Sequence, residues 1–570
     1  MATLNPYGKL NEAEQERLVA RRKTRRRITI IAISSIVLIA VVVAAAVGVT
    51  QTKKNNNDDN PRLSSAVKAA CAATLYPDSC YTSLAPLVNS GDIKPQDLYK
   101  LSIQVAIDEL SKSSNDFLQN GITKLNITDK RTLAAVESCR ELLSLALDHL
   151  NASLSVNGAT LLDAVDDLKT WLSSAGTYQQ TCIDDLSSVS PALGSRANEV
   201  FKNSGEYTSN GLAFIHTYDE SIDAMGAIGR RRLMSSGSGG EAGWLSFKER
   251  RLLQTASSKI KADAVVAKDG SGKYRTITAA LKAVPEKSKK RFVIYVKKGV
   301  YFENVKVEKK MLNVMMVGDG KDATIVSASL NFVDGTPTFQ SATFDVAGQG
   351  FIARDMGFRN TAGAAKHQAV ALKSTADHSV FYRCKMDAFQ DTLYAHSNRQ
   401  FYRDCDIYGT VDFIFGNSAV VIQNCNILPK KPMQGQQITI TAQGKIDPNQ
   451  NTGIAIQNCT IAPAANLSGV STFLGRPWKN YSTTVYFQNK MDKFIDPKGW
   501  LPWVGTTAPD TIFYAEYQNS GTGAVTKNRV KWKGLRLNLN ANQVKKFTVG
   551  KFIEGEKWIP ATGASYKSGL

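Results

Sequence analysis

Four segments decide the fold: FYRCKM (381–386), FYRDCDI (401–407), VIQNCNI (421–427) and AIQNCTI (455–461). Each runs apolar–polar–Cys–polar–apolar, and the cysteines fall at 384, 405, 425 and 459, two intervals near 20 and then a longer one. A period near 20 with one short strand per turn predicts a parallel β-helix, each coil stacked on the last. A β-sandwich is the competing architecture, but its turns recur every 8–12 residues, about half this spacing. From residue 259 onward the chain keeps the same habit, with short β-rich runs separated by Gly, Asn and Asp.

The repeat carries two acids with it. Asp391 lies seven residues after Cys384, and Asp412 seven after Cys405, so the pair is in phase one coil apart. Parallel neighbours sit about 4.8 Å apart, which predicts carboxylates within about 5–6 Å of each other. Two carboxylates that close do not both ionise easily; one pKa rises and the other falls. Gln390 precedes the first acid, and Gln368 lies 22 residues before Gln390. Asp also caps turns between coils, but two in register, flanked by Gln and followed by FIFGN, point to chemistry. Arg476, in LGRPW (474–478), is suited to clamp an ionised carboxylate with two hydrogen bonds. Trp478, Trp500 and Trp503 offer flat apolar faces of the kind that pack on sugar rings. No G-x-S-x-G elbow supports a serine nucleophile, and the Gly-rich stretch 269–273 lacks Walker spacing.

Upstream, residues 28–49 form an uncharged run of 22, long enough to span a bilayer. The basic lead 1–27, with Arg21, Arg22, Lys23 and Arg25–Arg27, should stay cytoplasmic and send the rest into the secretory lumen, as a signal anchor does. Residues 50–63 read as a linker, and 64–225 as amphipathic helices forming an all-α four-helix bundle. Residues 226–258 are a Gly/Ser/Arg linker with two tetrads, Arg231-Arg232-Leu233-Met234 and Arg250-Arg251-Leu252-Leu253, suited to a processing protease. Sequons at Asn126, Asn151, Asn458, Asn466 and Asn480 fit a glycosylated secretory product. All eight cysteines follow the apolar run, where disulfides form. None makes a CxxC pair and the five histidines are scattered, so no metal site is expected. The net charge of +20 calls for a polyanionic partner; secretion excludes nucleic acid and favours an acidic polysaccharide. The charge is uneven, with −8 over 62–229 and +19 over 259–570.

Residues 259–570 resemble plant pectin methylesterases through five segments: GVYFE (299–303), QAVA (368–371), QDTL (390–393), DFIFGN (412–417) and LGRPW (474–478). Residues 64–225, with Cys71, Cys80, Cys139 and Cys182, resemble the family's inhibitor domain, and the tetrads its pro-region cleavage signals. The resemblance implies a right-handed parallel β-helix that demethylesterifies pectin without a cofactor. It makes Asp412 the nucleophile, Asp391 the proton donor and then base, and Gln390 the oxyanion donor, helped by Gln368. Arg476 would orient Asp412, while Thr338, Gln368, Arg476 and Trp478 contact the polymer. It also implies disulfides among Cys71, Cys80, Cys139 and Cys182 and between Cys405 and Cys425. The implied partners are pectin, a subtilisin-like processing protease, the membrane before processing, and separate inhibitor proteins. The mature form would act in the cell wall. A pectin-cleaving β-helix glycosidase, with carboxyls about 5–5.5 Å apart, and a non-catalytic pectin-binding or inhibitor protein remain open alternatives.

Overall fold

The computed structural model describes residues 67–88, 93–121, 127–156, 161–233 and 261–570. The C-terminal part is a parallel β-helix of three sheets, with 11, 7 and 8 strands. One coil contributes Ser379–Tyr382, Lys385–Asp387 and Leu393–Ala395 to the three sheets in turn. The next contributes Arg399–Arg403, Asp406–Gly409 and Ile414–Gly416. All the named pairings are parallel, and Leu372, Leu393 and Ile414 align one above the other. The period near 20 is thus the circumference of a coil, while the longer interval from Cys425 to Cys459 reflects a longer coil.

Inward side chains stack by type along the axis. Phe381 lies on Tyr402 with centroids 4.8 Å apart and planes within 8°, and Leu393, Ile414, Ile422 and Ile456 fill the same core. Outside, the bend after the 11-stranded sheet puts Asp355, Arg383, Asp404, Asn424 and Asn458 at positive φ. Asp and Asn tolerate that left-handed turn better than other side chains, which explains the repeat's polar position before Cys. Asn458, a sequon residue, donates to Asn424 at 3.1 Å within this ladder.

The cysteine expectations divide. Cys71–Cys80 and Cys139–Cys182 are disulfides, but Cys405 and Cys425 are free thiols, as are Cys384 and Cys459. All four point inward at equivalent positions, where each sulfur already has backbone partners. The Cys405 sulfur accepts the Cys384 N–H at 3.3 Å and lies 3.3 Å from the Phe381 carbonyl; Cys425 accepts from Cys405 in the same way. The predicted 405–425 bridge is therefore replaced by a ladder of satisfied thiols.

The N-terminal part is helical: α1 Pro77–Leu84, α2 Pro95–Asn115, α3 Lys130–Leu154, α4 Leu161–Val189, α5 Pro191–Val200 and α6 Lys202–Leu233. Asp129 caps α3 by accepting the Thr132 N–H at 2.8 Å. Ala135, Cys139, Leu142, Ala146 and Leu150 recur every three or four residues and form its buried stripe, which Cys139 ties to α4. The four long helices pack on one another. Helix α6 runs through Arg231, Arg232 and Leu233, past the linker start expected at 226, because Ile222, Met225 and Ile228 keep helical spacing through the glycines. Segment 28–49, Asn126, Met234 and the second tetrad lie outside the described residues. Among the described residues no helix is long and apolar enough to cross a membrane.

Helices α3 and α4 lie on the face of the seven-stranded sheet. Tyr178 of α4 accepts from Asn398 and Ser397, each at 3.0 Å, Ser174 donates to Asn398 at 2.9 Å, and Thr177 accepts from Asn417 at 2.8 Å. Phe339, Val370, Tyr394, Phe415 and Ala442 of the esterase part share one apolar cluster with the bundle core. Among the described residues five ion pairs cross the boundary: Glu141–Lys306, Asp148–Lys309, Asp166–Lys557, Asp167–Arg399 and Asp184–Lys479. In each, the helical part supplies the acid.

Candidate active site

The seven-stranded sheet presents the two acids. Register pairs Leu393 with Ile414, so Asp391 and Asp412, each two residues earlier, occupy adjacent coils, and Asp391 N–H donates to Val411 O at 3.1 Å. Both have positive φ, 63° and 50°, a left-handed bend just before the strand. Gln390 bridges to Gln368, one position further back along the chain than the register that pairs Leu393 with Leu372 in the following strand. The slip is absorbed where the amides of Ala371 and Leu372 both donate to Thr392 O, at 2.9 and 3.2 Å. This bulge brings the two glutamine positions into line, a common device beside active sites.

The acids differ in their surroundings. Asp412, 4% exposed, accepts from Arg476 Nε at 2.8 Å through Oδ1 and from Nη2 at 2.6 Å through Oδ2. Thr439 adds a hydroxyl donor to Oδ1 at 2.5 Å and accepts the Asp412 N–H at 2.9 Å. Burial works against the Arg476 charge, but the hydrogen bonds and charge of Asp412 outweigh it and raise its pKa. Asp391, 7% exposed, has no such clamp. Burial, then the negative charge of Asp412, push its carboxyl well above the usual range, with Arg476 opposing only in part. One site thus holds an anchored anion beside a carboxyl disposed to keep its proton.

The two acids line a cavity of about 450 Å³ with Thr338, Gln368, Gln390, Tyr394, Phe415, Arg476, Trp478 and Trp503. Of the residues expected to act on or hold the substrate, Thr338, Gln368, Gln390, Asp391, Asp412, Arg476, Trp478 and Trp503 all reach this one place. Trp500 does not: it is 1% exposed and donates to the buried Glu516 at 3.1 Å, a core residue rather than a sugar platform. Trp503 instead stands 37% exposed, its ring 4.3 Å from the Arg476 guanidinium. Thr439 escapes the sequence repeat because it lies 27 residues beyond Asp412, on a coil longer than the common period. Tyr394 and Phe415, stacked at 4.1 Å, were hidden among apolar strand residues. Each follows an acid at the same offset, which was the available signal. The cavity is also lined by Thr181, Asp184, Asp185, Ser187 and Ser188 from the last turns of α4. Among the described residues no cluster of His, Cys, Asp and Glu could hold a metal.

A clamped carboxylate and a proton-retaining carboxyl on adjacent coils of a β-helix share one cavity with aromatic side chains. Comparison with known proteins gives the family. The family model described as Pectinesterase matches residues 263–556, and that described as Plant invertase/pectin methylesterase inhibitor matches 65–214. A pectinesterase/pectinesterase inhibitor sequence of Arabidopsis thaliana is 54% identical, over 99% of this chain and 100% of its own. Pectinesterase 3 of Phaseolus vulgaris is 48% identical over 89% of this chain and 87% of its own. The solved pectin methylesterase of carrot is 53% identical with a TM-score of 0.54, over 55% of this chain and 99% of its own. The chain belongs to the pectinesterase family, with an inhibitor-like domain ahead of the esterase domain.

Proposed function

We propose that the chain demethylesterifies pectin, with Asp412 as nucleophile and Asp391 as acid and then base. The observation that carries this is the unequal pair, Asp412 held by Arg476 and Thr439 while the buried Asp391 tends to stay protonated. Oδ2 of Asp412 has one protein hydrogen bond where Oδ1 has two, so Oδ2 keeps a lone pair for attack on the methyl ester carbonyl of a galacturonate unit. The oxyanion that forms is stabilised by the side-chain amides of Gln390 and Gln368. As the tetrahedral adduct collapses, the C–O bond to methoxide breaks and Asp391 gives up its proton to release methanol. The acyl–Asp412 intermediate is then opened by water, which Asp391, now ionised, deprotonates. Thr338 and Trp478 support the polymer. The test is methanol release from methylated pectin without shortening of the chain, with trapping of an acyl-enzyme. Chain shortening would favour the glycosidase reading instead.

The helical domain has a role of its own in this scheme. The last turns of α4 line the catalytic cavity, which supports a masked precursor. Residues 28–49 would hold this precursor in the secretory membrane, and a subtilisin-like protease would cut at the tetrads to free the wall enzyme. N-terminal sequencing of wall-extracted protein should then find a start just after Leu253, and a start before Arg231 would count against it. Asn151, Asn458, Asn466 and Asn480 are exposed, as glycan acceptors in the secretory pathway must be in the folded product. Separate inhibitor proteins could use the same face once it is free.

A further inference from the structure

Among the five ion pairs that join the helical domain to the esterase domain, most of the basic partners also meet acids of their own domain. Arg399 is held by Asp377 and Glu554, Lys557 by Glu554, and Lys306 lies near Glu308. Lys309 and Lys479 are different, since their only acidic partners among the described residues are Asp148 and Asp184 of the helical domain. Only the partner of Lys479 stands in the catalytic cavity. Asp184 lines it together with Asp391, Asp412 and Trp478, and its Oδ1 accepts from Lys479 Nζ at 2.8 Å.

We propose that Lys479 is a specificity residue that holds the free carboxylate of an already de-esterified galacturonate next to the reacting unit, and that Asp184 occupies this subsite in the precursor. This rests on the pectinesterase reading above. The group that Asp184 presents, a carboxylate at the edge of the cavity, is the group that distinguishes a de-esterified unit from a methylated one. The backbone that carries Lys479 is pinned to the previous coil: Trp478 N–H donates to Gln443 O at 3.2 Å, Lys479 N–H to Ser482 Oγ at 3.1 Å, and Ser482 Oγ to Gln443 O. The ammonium lies 5.4 Å from the Trp478 ring centroid, so a sugar packed on that indole brings its C6 carboxylate toward the cation. Removing the helical domain strips Lys479 of its counter-charge, and a polyanionic product then supplies one. The enzyme would therefore prefer to work beside units it has already opened.

The experiment uses residues 259–570, because the carrot enzyme, matched over 99% of its length by 55% of this chain, is a solved structure of the esterase part alone. Wild type, Lys479→Gln and Lys479→Arg are compared on fully methylated and on half de-esterified homogalacturonan of equal length. The expected loss of kcat/KM in Lys479→Gln is about fivefold larger on the half de-esterified polymer, the worth of one partly exposed ion pair. It should lie in KM, be restored by Arg, and fade at about 1 M salt, where charges are screened beyond roughly 3 Å. Equal losses on both polymers, or none on either, overturn the assignment. Absence of methanol release by the wild type on both polymers would instead refute the pectinesterase reading.

Discussion

Because Asp391 is buried beside the charge of Asp412, ionising it in the folded protein costs free energy that the unfolded chain does not incur. Its folded pKa is raised, so the folded state binds the extra proton. The associated stability is complete below the ordinary carboxylate value of about 3.9 and is lost as pH rises toward the raised one. Asp391→Asn should therefore raise the unfolding temperature more at pH 7 than at pH 4, by calorimetry, while turnover collapses. An equal shift at both pH values would contradict the raised pKa. Asp412→Ala should abolish methanol release outright, and Gln390→Ala should lower kcat by roughly 10²–10³, the scale of one oxyanion donor. Near-normal turnover in Asp412→Ala would remove the covalent mechanism. The acids were legible in the sequence through their shared offset from Cys384 and Cys405. Thr439 was not, since nothing local marks a threonine that folds back against an acid of the preceding coil.

The strands that carry these residues are only three to six residues long, so position depends on contact between coils. Gly475 illustrates the tolerance. A Cβ there would come within 2.0 Å of Thr441 Oγ1 and 2.6 Å of Thr441 O, on the strand next to the one that ends at Gly475, just before Arg476. Gly475→Ala should destabilise the esterase domain by about 1–3 kcal/mol, as overpacking does, and lower kcat through displacement of Arg476. Chemical denaturation alongside kinetics would check both effects; loss of stability with unchanged kcat would mean that Arg476 is positioned independently of this strand. The coil period predicted these strands, while the bulge at Ala371 and Leu372 was invisible in it. A one-residue slip in hydrogen bonding leaves no mark in composition.

The helical domain carries net negative charge and the esterase domain net positive charge, and the five ion pairs have that polarity. The boundary between them, however, is largely buried apolar and polar surface centred on Tyr178, Asn398 and Phe415. Salt should then raise precursor activity only modestly, whereas Tyr178→Ala, which empties the centre, should move it toward that of 259–570. If salt alone restored full activity, charge would be the main attraction between the two domains. Two acids at this boundary are disposed to hold protons in the docked state. Burial raises Asp185 to about 7, with Lys373 opposing and Asp184 adding, and burial with the Asp166 hydrogen bond raises Glu554 to about 7. Burial lowers His149 and His396 at the same boundary, which opposes docking below the ordinary imidazole value of about 6.5; above it the two acids alone decide, and masking weakens as pH rises through about 7. The ratio of precursor to esterase-domain activity, followed from about pH 6.5 to 8, should climb; a flat or falling ratio would contradict these shifts.

Sequence periodicity alone determined the β-helix, the helical domain and the in-phase acids, because a repeat of one coil length forces equivalent residues onto neighbouring strands. It also identified Arg476, through a motif rather than through any contact. Which acid Arg476 clamps came from the family resemblance and not from the period, since the guanidinium lies 64 residues from Asp412; only the tertiary structure decided that Thr439, on an off-period coil, is the second donor. The same holds for Trp500, buried against Glu516 although its sequence setting matched that of the exposed Trp503. It holds too for the thiol ladder, where inward stacking gave each sulfur backbone partners in place of the expected bridge. The seating of α4 over the catalytic cavity was foreseen only as a difference in net charge. Its address on the sheet depends on the shape and hydrogen bonding of two folded surfaces, which no local pattern encodes.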